Sequence, residues 1–295
     1  MAYHVGRILA LDFGLETFAV TVEEESAANL IFDYDQVFPV VTLQQLEQEI
    51  SPQDILICNP SFSFLGLGHR LRCIKICYVQ GFNTFTIIDK FDHYISASRA
   101  VQDVLNTIYR LDTPIIHPFI EIGDTSAPEW WARPERSALI LRKGPAAISD
   151  AVQAAVSTGV DPIAGLEKAT VVEGVTLRHK EFLELLGRHR FLINLSPAEG
   201  FGLVPLEAMA LGTTVMGFDS VGGRDYMQPS VNCATVTYPD VSGLIAQLDM
   251  ALSSPDRAAE LARAGRDTAR RFTYDAFRQR WRDVLDPIVS AHSHA

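Results

Sequence analysis

Two carboxylates set either side of a glycine-rich turn carry most of the chemistry legible in this chain. Glu199 and Glu207 lie in Ser196-Pro-Ala-Glu-Gly-Phe-Gly-Leu-Val-Pro-Leu-Glu-Ala-Met-Ala-Leu-Gly212. An ionised carboxylate accepts hydrogen bonds on two oxygens, so each suits a pair of neighbouring hydroxyls. Gly200 and Gly202 let the backbone turn tightly and let a ligand come close to it. Pro205 fits the first turn of a helix, where its missing N–H costs nothing, and Gly212 is a natural stop. The unpaired N–H groups of that first turn favour an anion such as a diphosphate.

The flanking sequence must place this loop. The apolar run Phe191–Leu195 reads as a strand feeding it, and an Ala/Leu/Met-rich helix follows. Both glutamates are then expected to face one crevice at the C-terminal end of a strand, where open α/β sheets bind ligands. Short apolar runs alternate with helical patterns along the whole chain, as βα units do. In the first half, strands are expected at Arg7–Leu11, Phe18–Val22, Asp54–Cys58, Ile74–Val79, Asp92–Ser96 and Pro114–Pro118. Helices are expected at Val41–Glu49 and from a Ser98 cap to Tyr109. Pro128, Pro134 and the pair Trp130-Trp131 break this pattern, so residues 121–136 read as a linker between domains 1–120 and 137–275. A second α/β set starts at Ser137–Leu141, and a last helix runs from Phe277 to Val289 within residues 276–295.

Composition narrows the class. Of 295 residues, 47% are hydrophobic and 21% charged, which is globular rather than disordered. The net charge of −11 argues against nucleic acid as a partner, because neutralising phosphates needs clustered Lys and Arg. The run His69–Lys75 is the best local basic patch; it reads either as a solvated strand approach or as contact with an anionic acceptor or membrane surface. Cys58, Cys73, Cys77 and Cys233 match no zinc or redox spacing, which fits a reducing cytoplasm. No signal-peptide pattern opens the sequence and no apolar run is long enough to span a bilayer.

The Glu199–Glu207 stretch resembles the Glu-x7-Glu signature of retaining, nucleotide-sugar-dependent glycosyltransferases of the GT-B fold, family 4 in particular. The resemblance continues through Val171–Val175, Phe182–His189, Thr214–Asp219, Val221–Gly223 and Asp256–Leu285. It implies an α/β protein of GT-B architecture: two facing Rossmann-like domains, an acceptor-binding N-terminal one, here shorter than is usual in the family, and a nucleotide-sugar-binding C-terminal one, with a C-terminal crossover helix. It implies a retaining, metal-independent hexosyl transfer from a nucleoside-diphosphate sugar to an acceptor hydroxyl, with no cofactor. The settings it suggests are polysaccharide, glycolipid or natural-product synthesis in the cytoplasm.

By the same resemblance Glu199 would bond sugar hydroxyls, and the amides of Gly200, Phe201, Gly202 and Leu203 would line the sugar and diphosphate. Glu207 would take the ribose, and Arg142 and Lys143 the diphosphate. Gly174 and Val175 would offer backbone groups to the base. On the acceptor side the candidates are Gly14, the remnant of a glycine loop after the first strand, with Asn59, Gln80 and His117 at strand ends. His117, between an apolar run and a proline, reads more readily as a hydrogen-bonded structural histidine. Asp33-Tyr34-Asp35 has the Asp-x-Asp form that binds a divalent metal in the other large glycosyltransferase fold, but it is short, frequent and remote in sequence from the donor motifs, so no metal site is assigned. Gly200–Pro205 lacks the third glycine of a dinucleotide loop, which argues against a dehydrogenase. A non-catalytic nucleotide-binding partner on the same fold, and a sugar-nucleotide epimerase, are the alternatives.

Overall fold

The computed structural model describes residues 1–295 except 22–36, 61–65, 83–89, 144, 146–149, 151, 153–167, 174–176 and 293–295. The chain divides into two units, Met1–Phe119 with Tyr274–Ala295, and Ile120–Thr273.

The second unit is built on a parallel sheet of β6 (Ser137–Arg142), β7 (Lys168–Glu173), β8 (Phe191–Asn194), β9 (Thr214–Phe218) and β10 (Ala234–Val236), in the order β10-β9-β8-β6-β7. A parallel sheet is covered on both faces, so its strands are apolar throughout rather than alternating with polar residues. Ala138, Ile140, Phe191, Ile193, Met216 and Phe218 fill one face; Leu139, Leu141, Leu192 and Val215 fill the other. Its described helices are α5 (His179–Arg188), α6 (Leu203–Ala210), α7 (Val241–Ser253) and α8 (Pro255–Ala269). Helix α8 opens on a proline and buries Ala258, Leu261, Ala262, Gly265 and Ala269 at helical spacing. The small residues let it lie close against β9 and α6.

Residues 121–136, expected as a linker, and Ile120 before them do not form a separate segment. They belong to the second unit, with Ile120, Ile122 and Ala127 packed on the face beneath α5 and α6, and Trp130 buried on the opposite face. The Trp130 indole donates to Thr214 Oγ1 at 2.9 Å. Arg133 is 3% exposed and donates to the carbonyls of Pro128 and His189, each at 2.9 Å, to Leu211 O at 2.5 Å and to Thr213 Oγ1 at 2.8 Å. Burial, with Arg266 nearby, pulls its pKa down to about 10, so it stays charged at neutral pH. Its guanidinium replaces water for three carbonyls. Arg133→Met is expected to lower unfolding stability by about 3 kcal/mol, read as a shift in the urea midpoint, because those acceptors would be left buried and unpaired.

The first unit has a parallel sheet of β3 (Ile55–Cys58), β4 (Ile74–Val79) and β5 (His93–Ser96), and a short parallel pair, β1 (Ala19–Thr21) with β2 (Val40–Thr42). Its helices are α1 (Ala2–Phe13), α2 (Leu43–Glu49), α3 (Leu67–Arg70), α4 (Arg99–Tyr109) and α9 (Tyr274–His292). Thr42 caps α2 in a capping box, and Ser98 Oγ accepts from Val101 N–H at the start of α4. The C-terminal helix α9 returns to this unit: Phe277, Trp281, Leu285 and Ile288 pack with Ile74, Ile76, Tyr78 and Ile95 of the sheet and with Val5, Ile8 and Leu9 of α1.

The expected first strand, Arg7–Leu11, is part of helix α1. A five-residue apolar run fits either element. The buried set His4, Val5, Ile8 and Leu9 has helical spacing, whereas Leu11 is exposed. Gly14 is the left-handed C-cap of this helix, at φ 66°, and not a glycine loop after a strand. Pro114–Pro118 contributes a single bridge, Ser96 to Ile115. Within the basic run Lys75 is buried, 3.0 Å from Asp92 and 2.8 Å from the Cys73 carbonyl, and Arg70 pairs with Glu47, while His69, Arg70 and Arg72 are exposed. Among the described residues no helix is long and apolar enough to cross a membrane.

Candidate functional site

The strand order of the second unit creates a place for a ligand. From β6 the chain passes to β7 on one side, then crosses to β8 on the other. The connections leaving the C-terminal ends of β6 and β8 therefore diverge, and open α/β sheets bind ligands at such a switch point. Leu141 is in register with Asn194, which puts Arg142-Lys143 level with the loop that starts at Leu195. Lys143 Nζ lies 2.5 Å from Glu199 Oε1. Two residues far apart in sequence thus meet at the crevice. Arg142 is turned to Asp150, with Nη2 2.5 Å from Oδ1.

The Glu199 loop is held from beneath by a buried polar network. Asn194 Nδ2 donates to Ser220 Oγ at 2.8 Å, and Ser220 Oγ donates to the Ser196 carbonyl at 2.7 Å. Ser196 Oγ in turn donates to Glu199 Oε1 at 2.9 Å. The Gly222 N–H donates to the Glu199 carbonyl at 3.0 Å, from the 3-10 turn Val221–Asp225. A Cβ on Gly222 would sit 2.4 Å from the carbonyl oxygens of Glu199 and Gly200, so only glycine allows this approach. Ser220 keeps a left-handed φ of 40°, a conformation that its bonds to Asn194 and Ser196 hold.

Gly202, at φ 86°, caps the N-terminus of α6. The Tyr226 hydroxyl donates to its carbonyl. Burial pushes the Tyr226 phenol well above its usual value, so it remains a donor. Phe201 offers only its backbone: its ring is buried, 5.3 Å from Tyr226 and 5.5 Å from Phe272 between centroids. Among the described residues no acceptor takes the amides of Gly200, Gly202, Leu203 or Val204. Pro205 stands at the third helical position. The start of α6 thus presents N–H groups suited to an anion.

Glu207 is one turn further into α6, with its carboxylate 7% exposed. Its Oε1 lies 2.9 Å from Nε2 of His179, the first residue of α5. The Glu207 hydrogen bond raises the His179 pKa above its usual value; partial burial opposes this, and the Glu207 and Glu121 charges add to it. Sequence reasoning missed His179. Its partner is 28 residues away, and its only sequence signal is a place at a helix start facing no known motif. Ser220 and Tyr226 are equally silent in sequence, because their partners Asn194 and Gly202 lie 26 and 24 residues away.

Gly174 and Val175 lie outside the described residues, as do Asp33-Tyr34-Asp35. In the first unit, Asn59 follows β3, Gln80 follows β4, and His117 follows the bridge at Ile115 beside β5. The parallel register, Cys58 with Cys77, Val79 with Ser96 and Ser96 with Ile115, brings these three half-buried residues to one C-terminal sheet edge. Gly14 does not join them, since it ends α1.

Two parallel-sheet α/β units, one with a switch-point crevice beside a free helix N-terminus, define the class, and comparison with solved structures identifies it as the GT-B fold. Sucrose-phosphate synthase from Thermosynechococcus elongatus superposes with a TM-score of 0.70 at 13% identity, over 98% of this chain and 93% of that one. A variant of S. aureus TarM, solved with fondaparinux, α-GlcNAc-glycerol and UDP, gives 0.62 at 17% identity, over 82% of this chain but 57% of that one. Residues 165–268 match the family Glycosyl transferases group 1. Over 101 residues the chain is 34% identical to D-inositol 3-phosphate glycosyltransferase of Gordonia bronchialis, covering 34% of this chain and 20% of that protein's length.

Proposed function

We propose that this protein is a retaining glycosyltransferase that moves a hexosyl group from a nucleoside-diphosphate sugar to a hydroxyl of a saccharide, glycolipid or natural product. The observation that carries the reading is the meeting of Lys143 and Glu199 at the switch point, beside the open amides of α6 and one turn from Glu207. The departing diphosphate gains charge as the anomeric C–O bond breaks. Lys143 and the α6 amides supply oriented donors for it, the largest single contribution in most such sites. Glu207 takes the ribose, and Glu199 the sugar hydroxyls. A Glu199 oxygen that already accepts from Lys143 and Ser196 is a poor nucleophile, which favours transfer on the same face over a covalent glycosyl-enzyme. The acceptor oxygen then bonds to the anomeric carbon as the diphosphate leaves, and its proton passes to a departing phosphate oxygen. The cationic side chains and amides do the charge neutralisation, so no metal is assigned a role. Asn59, Gln80 and His117 are the polar candidates for the acceptor.

The relatives suit this reading: TarM was solved with UDP, and the Gordonia protein is a glycosyltransferase. A nucleotide-binding partner without turnover is the second reading, favoured by α1, which replaces the strand and glycine loop that the resemblance implies.

Thermal unfolding against UDP, GDP, ADP, CDP and dTDP tests the donor site. A nucleotide at 100 times its Kd is expected to stabilise by about 2.7 kcal/mol, a clear rise in Tm, lost in Glu207→Ala. No shift with any of them would overturn the reading. A shift without release of nucleoside diphosphate from the matching nucleotide sugar, across an acceptor panel, would favour the binding partner.

A further inference from the structure

We infer that His179 is a positioning residue for the donor's ribose: by holding Oε1 of Glu207 it orients that carboxylate and leaves Oε2 to the ribose hydroxyls. The inference rests on the donor-site reading of Glu207. A carboxylate 7% exposed needs a partner, and among the described residues His179 supplies the hydrogen bond, at 2.9 Å. His179 opens α5 and Glu207 lies one turn into α6, so their spacing is set by helix packing and not by a flexible loop.

Helix electrostatics would not choose this place for a cation, since an imidazolium at the first position of α5 faces the positive end of the dipole. The charged groups facing the ring are Glu207 from α6 and Glu121 from the segment ahead of the Trp130 turn, both acidic. They hold the proton. The pair is therefore fully charged below the ordinary histidine value near 6.5 and loses the imidazolium as pH rises through the raised one. Donor binding takes Glu207 further from water, where the imidazolium matters more. Donor affinity is then greatest with His179 protonated and falls as it loses its proton.

The test is calorimetric titration of intact UDP-glucose, GDP-mannose and ADP-glucose, whose diphosphate esters have no proton to lose near neutrality, into wild type, His179→Gln and His179→Ala. Over about pH 5.5 to 8.5, wild-type affinity for the nucleotide sugar that binds is expected to fall by about tenfold. His179→Gln keeps an uncharged donor and should be flat with pH, near the wild-type value at the alkaline end. His179→Ala should bind about tenfold more weakly than the Gln variant at every pH, as expected for a lost bond to a charged group. A wild-type slope that persists in the Gln variant, or an Ala variant that binds like wild type, would overturn the inference while leaving the donor site intact. Absence of binding to wild type at every pH would overturn the donor site itself, and this inference with it.

Discussion

Gly217→Ala is expected to destabilise the second unit by about 4 kcal/mol, a loss large enough to unfold it in mild urea. Gly217 lies in β9, between β8 and β10, at φ 113°, a conformation that residues with a Cβ rarely adopt. An alanine Cβ would sit 2.0 Å from the Asn194 carbonyl oxygen and 2.7 Å from the Asn194 carbonyl carbon and nitrogen. These are backbone atoms of a buried neighbouring strand and cannot swing aside. Backbone strain of about 1–3 kcal/mol adds to overpacking of about 1–3 kcal/mol. The damage falls where Asn194 and Gly217 are in register, at the strand ends that carry the Asn194–Ser220–Ser196 network. Gly14→Ala is the control: it shares a positive φ, but nothing lies within 4 Å of its Cβ position, so it should cost only about 1–2 kcal/mol. Urea midpoints for the two variants check this. Equal midpoints would show that the strand clash is relieved at little cost.

The contrast between these glycines shows what the sequence carries and what it does not. The second sheet is legible because each of its central strands is a bounded apolar run, and the start of α6 is legible because glycine, proline and a following Ala/Leu/Met run all point the same way. At Arg7–Leu11 a five-residue apolar run is too short to separate a helix from a strand; the burial of His4, Val5, Ile8 and Leu9 as one face settles it. Residues 121–136 read as a linker because Pro and Trp break local periodicity, yet Trp130 reaches Thr214 and Arg133 reaches Leu211. Contacts at that separation leave no periodic trace. The site divides in the same way. Glu199 and Glu207 belong to a spacing that can be recognised, Lys143 enters only through the family resemblance, and the fold brings Lys143 to Glu199. His179, Asn194 and Ser220 act through neighbours fixed only by strand register and helix packing.

Glu199→Gln is expected to lower kcat by at least about a hundredfold while leaving nucleoside diphosphate affinity within about threefold of wild type. Gln keeps the shape of the side chain and an acceptor oxygen for Ser196, but removes the charge that holds Lys143 at 2.5 Å. The diphosphate would still meet the α6 amides and the ribose would still meet Glu207, so binding survives and orientation at the reacting carbon does not. Lys143→Met should lose a similar factor. The double variant should then lose little more than either single one, because the two side chains act as a unit. Loss of folding would not account for such a result. Lys143 is 59% exposed, and an ion pair that open to solvent contributes only about 0.2–1 kcal/mol. Unfolding midpoints of all three variants should therefore stay close to wild type. A Glu199→Gln enzyme with wild-type turnover, measured with the nucleotide sugar that binds and any acceptor it uses, would remove Glu199 from the sugar-handling machinery. Additive losses in the double variant would instead keep both residues and sever the link between them.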